Sequence, residues 1–343
     1  MYDISLNPFW KYVQGHRREV FKEIEKAIPR REPKGHYDLV LDYPRRMGKY
    51  IRPGLLLLTC EILGGDVKKV MKVACAQQLS EDWMLIHDDI EDGSVLRRGL
   101  PSLPVMKGSS LGLAMNAGDA LHMVMWKTLL DVRHDLGTET AIRLFEEFYE
   151  ILLRTAEGQY LEMRWTLDNA FVSEKEYYNL VDRKTGAYTI GGPMRLGAIC
   201  ADAPPKVLRD LDRLSVPLGR AFQIHDDWLD IYSHDLDKDL YGDIIEGKRT
   251  LLIHRAFSKA SSKDRAHLHE LMGLPREERA RDGDCVHVFL EMFDRYGCKE
   301  HVRSIALDNA QRSRKIIGGF SWLDRKGKNL LLDVVDLVIK REK

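Results

Sequence analysis

The sequence lacks the features that mark secreted, membrane-spanning and nucleic-acid-binding proteins. Its five cysteines are far apart and form no CxxC pair, which argues against a disulfide framework or a zinc site. No apolar run approaches the ~18 residues of a transmembrane helix, and residues 1–20 contain no apolar signal segment. The 53 basic and 53 acidic residues cancel, so no net charge attracts a polyanion. We expect a cytoplasmic protein that binds no nucleic acid and does not insert stably into a membrane.

The alternation of apolar and polar residues that is typical of β-strands is also scarce. Apolar residues recur at helical spacing instead. This spacing predicts long helices over Val67–Asp92, over Ser173–Cys200 and from Pro204-Pro205 to Asp230. No Pro/Gly/Ser-rich linker interrupts the chain. The sequence therefore predicts an all-α fold with a single domain over residues 1–343.

Two acidic clusters each follow an apolar run that ends in Ile-His. Both have the pattern DDxxD; the first is Asp88, Asp89 and Asp92, and the second is Asp226, Asp227 and Asp230. Residues four apart lie on one face of a helix, and hard divalent ions such as Mg²⁺ bind carboxylate oxygens. A single DDxxD is most often a solvated helix end. Two clusters that face each other across a helical bundle predict a metal site.

A pair of arginines, Arg97 and Arg98, comes shortly after the first acidic cluster. Planar guanidinium groups bind phosphate oxygens through two hydrogen bonds at once. Acids for a metal followed by arginines for phosphate indicate a site for a metal-bridged diphosphate.

Further motifs accompany these two clusters in a fixed order. They are GK-x-x-RP (Gly48–Pro53), DDxxD (Asp88–Asp92), RRG (Arg97–Gly99), Gly118-Asp119, Gly158-Gln159, Lys184-Thr185, FQ-x-x-DD-x-x-D (Phe222–Asp230) and D-I-x-x-GK-x-T-L (Asp243–Leu251). With this set, which covers nearly the whole chain, the sequence resembles the trans-isoprenyl diphosphate synthases of the polyprenyl synthetase family. Archaeal-type geranylgeranyl and farnesyl diphosphate synthases are the most similar members.

The resemblance implies an all-α, single-domain multi-helix bundle around a central cavity, usually present as a homodimer. It also implies a prenyltransferase that condenses an allylic diphosphate with isopentenyl diphosphate, using a cluster of about three Mg²⁺ ions for which Mn²⁺ can substitute. The main metal ligands implied are Asp88, Asp92 and Asp226, with Asp89, Asp227 and Asp230 as nearby ligands or as residues behind them. Lys184 and Lys248 would stabilise the departing diphosphate.

The resemblance also assigns the residues that bind the two substrates. Those expected to hold the allylic diphosphate are Arg97, Lys184, Thr185, Gln223, Lys238 and Lys248. Those expected to hold isopentenyl diphosphate, the acceptor, are Lys49, Arg52 and Arg98, with Glu81 at a further contact position.

The acceptor side departs from the family pattern. Tyr50 replaces an arginine, Glu81 replaces a histidine or glutamine, and Pro104 replaces a histidine. A carboxylate at Glu81 would repel a diphosphate unless it pairs with Lys49 or Arg98, or is protonated by burial. We favour isopentenyl diphosphate as the acceptor. The alternatives are another acceptor or a cyclase on the same fold, and a non-catalytic subunit of a heteromeric synthase.

Product length in this family depends on the fifth residue before the first aspartate. That residue is Trp83, and Met84 follows it. An aromatic residue here resembles the pattern of synthases that make a C20 product, with C15 as the alternative because tryptophan is large. Smaller residues deeper in the helix, Ser80 and Ala76, would leave room if Trp83 were trimmed.

The C-terminal segment VIKREK is basic. We favour a solvated helix end for it, since charged helix ends usually face water. The alternative is a tail that closes over the acceptor's diphosphate.

Overall fold

The computed structural model of the protein describes residues 3–233, 240–281 and 283–341. These residues contain eighteen α-helices, which confirms the predicted all-α class. They are α1 (Pro8–Ala27), α2 (Lys34–Val40), α3 (Asp42–Arg45), α4 (Ile51–Ile62), α5 (Met71–Glu91), α6 (Leu111–Asp131), α7 (Arg133–Leu136), α8 (Thr138–Leu167), α9 (Glu174–Val181), α10 (Gly192–Cys200), α11 (Pro205–Tyr232), α12 (Gly242–Glu246), α13 (Leu251–Lys259), α14 (Ser262–Met272), α15 (Arg276–Ala280), α16 (Asp284–Arg295), α17 (Cys298–Gly318) and α18 (Arg325–Lys340). Over this part of the chain, no helix is both long and apolar enough to cross a membrane.

Two of the predicted long helices are interrupted. A 3₁₀ turn over Val67–Val70 leads into α5, and a π-helix over Asp182–Gly191 separates α9 from α10. A π-helix has wider turns than an α-helix and is frequent at functional sites. Further 3₁₀ and strand structure is limited, within the described residues, to Ile4–Leu6 and to a two-stranded antiparallel hairpin, Leu96–Arg97 with Leu100–Pro101.

Side-chain hydrogen bonds cap the starts of α1 and α9. The Asn7 side chain accepts from the backbone N–H of Trp10 at 2.9 Å and caps α1. Ser173 and Glu176 form a reciprocal capping box at the start of α9. Each such cap contributes about 1 kcal/mol, and the box on α9 holds the segment that enters the π-helix.

The buried apolar side chains form two clusters that share α11. The larger cluster contains the fully buried leucines 55–58 of α4, and α4 packs against α10 while α5 packs along α6. The smaller cluster surrounds Phe289 of α16. Leu218 of α11 belongs to the larger cluster and Ile224, less than two turns later, to the smaller one. Full burial of one such leucine contributes roughly 1.5–3 kcal/mol, so both clusters hold α11 firmly in place.

Candidate active site

The two acidic clusters lie at the C-terminal ends of α5 and α11, and they are built alike. In each, the middle carboxylate is buried and accepts a hydrogen bond from a buried tyrosine hydroxyl. Tyr43 donates to Asp89, and Tyr177 donates to Asp227 at 2.7 Å. The first aspartate of each cluster is only partly buried. The middle aspartates therefore lie behind the first ones and are held by protein groups.

Arg97 is bound to the first acidic cluster. Its Nε donates to Asp89 Oδ1 at 2.9 Å, its Nη2 donates to the same oxygen, and Nη2 lies 3.7 Å from Asp88 Oδ2. Burial raises the pKa of Asp89, although Arg97 acts in the opposite direction. Arg97 thus neutralises Asp89 and is oriented by it at the edge of the cluster.

Two lysines lie beside the first cluster, and one of them also reaches towards the second. Lys248 Nζ is 3.3 Å from Asp92, 2.5 Å from Glu246 and 3.9 Å from Asp243. The backbone N–H of Asp243 in turn donates to Asp230 at 3.0 Å. These contacts connect the first cluster to the second through Lys248.

The second lysine, Lys184, is carried by the π-helix. Its Nζ lies 2.5 Å from Glu162 and 3.9 Å from Asp88. A Cβ on Gly158 would lie 2.9 Å from the Lys184 Cβ, so the glycine of the Gly158-Gln159 motif allows α8 to approach the π-helix closely. Gln159 donates to Asp88 at 3.3 Å.

Carboxylates outnumber these cations. Burial, together with the nearby Asp88 and Glu246, raises the pKa of Asp92 to about 7 in spite of Lys248. Burial likewise raises the pKa of Asp227 to about 7. For Asp88, burial is outweighed by Lys184 and Lys248, and the pKa is lowered. The region favours additional positive charge.

The carboxylate oxygens fit Mg²⁺ or Mn²⁺ in kind, because hard divalent ions take oxygen ligands and keep positions for water and phosphate. Among the described residues, no three acidic, histidine or cysteine side chains stand close enough to enclose an ion by themselves. Water molecules or phosphate oxygens would have to complete the coordination sphere.

The C-terminal segment is not solvated at Arg341, the residue that follows the end of α18. Arg341 is buried, its Nη2 donates to Asp226 Oδ1 at 2.8 Å, and its guanidinium carbon lies 4.2 Å from the centre of the Phe222 ring. Its carbonyl oxygen lies 2.9 Å from His225 Nε2. The expectation of a solvated end is therefore wrong for Arg341, because a carboxylate and an aromatic face replace the water that its charge would otherwise require.

The polar residues predicted for the allylic diphosphate form a short hydrogen-bond chain at the second cluster. The Thr185 hydroxyl donates to the side-chain oxygen of Gln223, and Gln223 Nε2 donates to Asp227 at 2.7 Å. The structure brings these two residues together with the cluster. Lys238, predicted for the same group, lies outside the described residues.

Two of the three cations predicted for the acceptor, Arg52 and Arg98, meet at Glu81 of α5. Arg52 and Arg98 both lie beside its carboxylate, which satisfies the condition that Glu81 be paired with a cation. A Cβ on Gly48 would lie 2.5 Å from Arg98 Nη2, so the glycine of GK-x-x-RP makes room for this guanidinium. Lys49 belongs to the same motif, and Tyr50 is buried.

Trp83 and Met84 lie one turn before the first acidic cluster and are both half-buried. The ring centre of Trp83 is 5.4 Å from that of His87 and 4.7 Å from that of His122 on α6. His122 also accepts from Trp126 Nε1 at 2.7 Å. These rings form an aromatic wall between α5 and α6 beneath the first cluster.

Several residues of the site carry no prediction from the sequence. Glu162 and Glu246 bind the two lysines, and the tyrosines that bind the middle aspartates are Tyr43 and Tyr177. Glu246 stands two positions before Lys248, a spacing at which helical side chains do not face each other, so it gives no sequence signal for this pair. The tyrosines are 46 and 50 positions from their aspartates, and no local pattern connects them.

Comparison with known proteins identifies the family to which this site belongs. A sequence profile described as polyprenyl synthetase matches residues 35–288. The chain belongs to the polyprenyl synthetase family. It is 33% identical over 297 residues to a short chain isoprenyl diphosphate synthase of Methanothermobacter thermautotrophicus, covering 86% of this chain and 87% of that protein. It is 31% identical over 305 residues to a geranylfarnesyl diphosphate synthase of Aeropyrum pernix, covering 86% and 91%.

Solved structures of polyprenyl synthetases agree with the fold. A geranylgeranyl pyrophosphate synthetase from Pyrococcus horikoshii superposes with a TM-score of 0.84 at 25% identity, covering 97% of this chain and 98% of that one. The prediction of the family, of the all-α fold and of a short-chain prenyltransferase is confirmed.

Proposed function

We propose that this polyprenyl synthetase condenses an allylic diphosphate with isopentenyl diphosphate and releases a trans-prenyl diphosphate of the C20 class, with C15 as the alternative. The observation that supports this most directly is the position of Lys248. It contacts Asp92 of the first cluster and Asp243, which is bonded to Asp230 of the second. A diphosphate bound at Lys248 would therefore lie between both sets of carboxylates.

In this proposal the allylic diphosphate is held by cationic and polar groups on three sides. These are Arg97 beside the first cluster, Lys184 and Thr185 on the π-helix, and Gln223 and Lys248 towards the second. Lys238, outside the described residues, is added to this set from the sequence motif alone. Asp88, Asp92 and Asp226 would hold the Mg²⁺ ions, with Asp89, Asp227 and Asp230 behind or beside them. When bound, these ions would stabilise the negative charge that develops on the departing diphosphate.

The lysines contribute the same kind of stabilisation from fixed positions. Glu162 holds the Lys184 ammonium and Glu246 holds that of Lys248, so neither lysine must reorganise as charge develops. The aromatic wall excludes water from the allylic cation. The acceptor's alkene would attack this cation and the departing diphosphate would take the proton, so no protein base is required.

Magnesium-dependent release of inorganic diphosphate tests this function. We expect release only when an allylic diphosphate, isopentenyl diphosphate and Mg²⁺ are all present. Release from the allylic diphosphate alone would favour the second candidate, a cyclase or a transferase to another acceptor, for which Glu81 among the acceptor's cations is the supporting observation. Absence of any release would favour a non-catalytic subunit.

We further propose that the protein is a homodimer that pairs through α6 and α8. Exposed apolar side chains follow one another at helical spacing along α8, namely Ile142, Phe145, Tyr149, Leu153, Tyr160 and Met163, and Met123 and Leu130 continue this face on α6. An apolar stripe of this length is typical of a surface that another protein covers.

A charge placed on this stripe is expected to separate the protomers. Leu153→Glu would bury two unpaired carboxylates in a symmetric interface and raise the dimer dissociation constant by at least about a hundredfold. Light scattering coupled to size-exclusion chromatography, over a range of protein concentrations, measures the dimer dissociation. Leu307→Glu on α17 is the matched control, since Leu307 is 46% exposed and Leu153 is 41% exposed. A Leu153→Glu protein that remains dimeric would contradict this interface.

The Arg341 contact predicts a change in metal affinity. Its guanidinium donates a hydrogen bond to an Asp226 oxygen that could otherwise bind a metal ion. Arg341→Ala is therefore expected to tighten Mn²⁺ binding roughly fivefold. This factor corresponds to about 1 kcal/mol, the contribution of a partly buried ion pair. Electron paramagnetic resonance of Mn²⁺ in the presence of inorganic diphosphate measures this Mn²⁺ affinity without turnover. Lys340→Ala, which removes an exposed partner of Asp336, is the control. Weaker Mn²⁺ binding by the Arg341 variant would contradict the expectation.

We propose that the chain acts as one domain in the cytoplasm. The shared position of α11 in both apolar clusters supports one domain. All five cysteines are unpaired, which suits a reducing compartment.

A further inference from the structure

The cationic groups proposed for the acceptor's diphosphate enclose two carboxylates of the protein itself. Arg52 Nη1 lies 3.1 Å from Glu81 Oε2, and Arg98 Nη2 lies 3.8 Å from Glu81 Oε1. Arg98 Nη2 also lies 3.0 Å from Asp82 Oδ1. In formal charge, Glu81 and Asp82 cancel two of the three positive charges of Lys49, Arg52 and Arg98.

The two carboxylates differ in how firmly they are held. Asp82 is fully buried, and its Oδ1 accepts from both Arg98 Nη2 and Gln78 Nε2, the latter at 3.3 Å. Arg98 is itself fixed by a 2.8 Å hydrogen bond to the carbonyl oxygen of Tyr43. The Asp82–Arg98 pair is therefore a permanent part of the protein interior.

Glu81 is held less completely. Its Oε2 is buried and, among the described residues, has no partner with hydrogen-bond geometry despite the nearby guanidinium. The Glu81 side chain retains 12% of its surface exposure, whereas that of Asp82 retains none. Glu81 has one ion pair at 3.1 Å that lacks hydrogen-bond geometry and one long ion pair at 3.8 Å. It can therefore rotate away at a lower cost than the buried, hydrogen-bonded aspartate.

Arg52 is oriented by groups other than Glu81. Its Nη2 donates to Thr189 at 2.9 Å, and its guanidinium carbon lies 4.6 Å from the centre of the Tyr188 ring. Its Nε is buried and also lacks a hydrogen-bond partner among the residues that the structure describes. The π-helix therefore holds Arg52 in place when Glu81 leaves, with a donor available for a ligand oxygen.

We propose that Glu81 is a specificity-determining residue of the acceptor site: its carboxylate competes with the acceptor's diphosphate for Arg52 and Arg98. The inference rests on the proposed function. In the resting protein Glu81 serves as the counter-anion of Arg52 and as a second, more distant anion beside Arg98. A bound diphosphate takes its place. The site then discriminates by charge, because only an acceptor with a strongly anionic group displaces the carboxylate.

Glu81→Gln tests this with little change in side-chain shape. We expect the KM for isopentenyl diphosphate to fall about tenfold, while the KM for the allylic diphosphate stays unchanged. Calorimetric titration with isopentenyl diphosphate in EDTA should show the same gain in affinity without turnover. Glu147→Gln is the matched control, since Glu147 also pairs with an arginine, Arg195, and is 13% exposed. Glu81→Ala, a second variant, should show the same direction of change.

The outcomes separate this inference from the proposed function. A Glu81→Gln protein that elongates the allylic substrate with an unchanged or higher acceptor KM overturns the role of Glu81 and leaves the function intact. A wild-type protein that neither binds isopentenyl diphosphate nor incorporates it overturns both.

Discussion

Asp88→Asn is expected to lower kcat by about a thousandfold, or ~4 kcal/mol of transition-state stabilisation, with little loss of stability. Asp88 is partly exposed, and its partners are distant, with Lys184 at 3.9 Å, Arg97 at 3.7 Å and Gln159 at 3.3 Å. Few interactions of the fold depend on it. The loss of kcat arises because asparagine is a much weaker ligand than a carboxylate for a hard divalent ion.

The neighbouring residue, Asp89, is expected to affect the stability of the fold instead. Asp89 is buried between Arg97 and Tyr43. Asp89→Asn leaves the Arg97 guanidinium with only the more distant Asp88 carboxylate, at 3.7 Å, as counter-charge, and should cost roughly 3 kcal/mol of unfolding free energy. Steady-state kinetics give kcat for both variants, and thermal denaturation gives their stability. An Asp88→Asn enzyme that retains more than a tenth of wild-type kcat, or an Asp89→Asn protein as stable as wild type, would contradict this division of roles.

Trp83→Ala is expected to change the main product to a longer one. Trp83 closes the space between α5 and α6 by packing on His87 and His122. The residues on the same face of α5 are Leu79, one turn deeper, and Ala76, two turns deeper, both fully buried. Removal of the indole lengthens the space along α5 by about one helical turn, or ~5.4 Å. This length suits one additional isoprene unit.

The number of isoprene units that are added depends on Leu79, which lies one turn deeper in α5. Ser80, which the sequence suggests as free space, is instead hydrogen-bonded to Tyr188 at 2.9 Å on the acceptor side. We therefore expect Trp83→Ala to add one unit and the double variant with Leu79→Ala to add more. Chromatography of the dephosphorylated products measures chain length. Trp322→Ala, at a half-buried tryptophan between α17 and α18, is the control. Products of unchanged length from Trp83→Ala would contradict the assignment.

Sequence motifs point to residues that the structure brings close together, because each motif is local. Both DDxxD clusters lie on helices whose apolar faces fix their direction, and GK-x-x-RP and RRG carry arginines that meet at Glu81. The family resemblance supplies their relative placement, which periodicity alone does not.

The remaining features depend on tertiary contacts. The π-helix over Asp182–Gly191 has a sequence that also suits an α-helix, and its packing against α8 and α11 is not encoded within those ten residues. Arg341 belongs to a charged tail that indicates solvent exposure; its burial follows from Phe222 and Asp226, which only the fold brings to it.

The most direct test of the proposed condensation is a product assay with radiolabelled isopentenyl diphosphate. Purified protein is incubated with Mg²⁺ and, in turn, with dimethylallyl, geranyl or farnesyl diphosphate. We predict labelled prenyl diphosphate of C20, or C15, in a reaction that EDTA abolishes. Loss of diphosphate from the allylic substrate without incorporation of label would contradict condensation with isopentenyl diphosphate and would indicate a different acceptor or a cyclase.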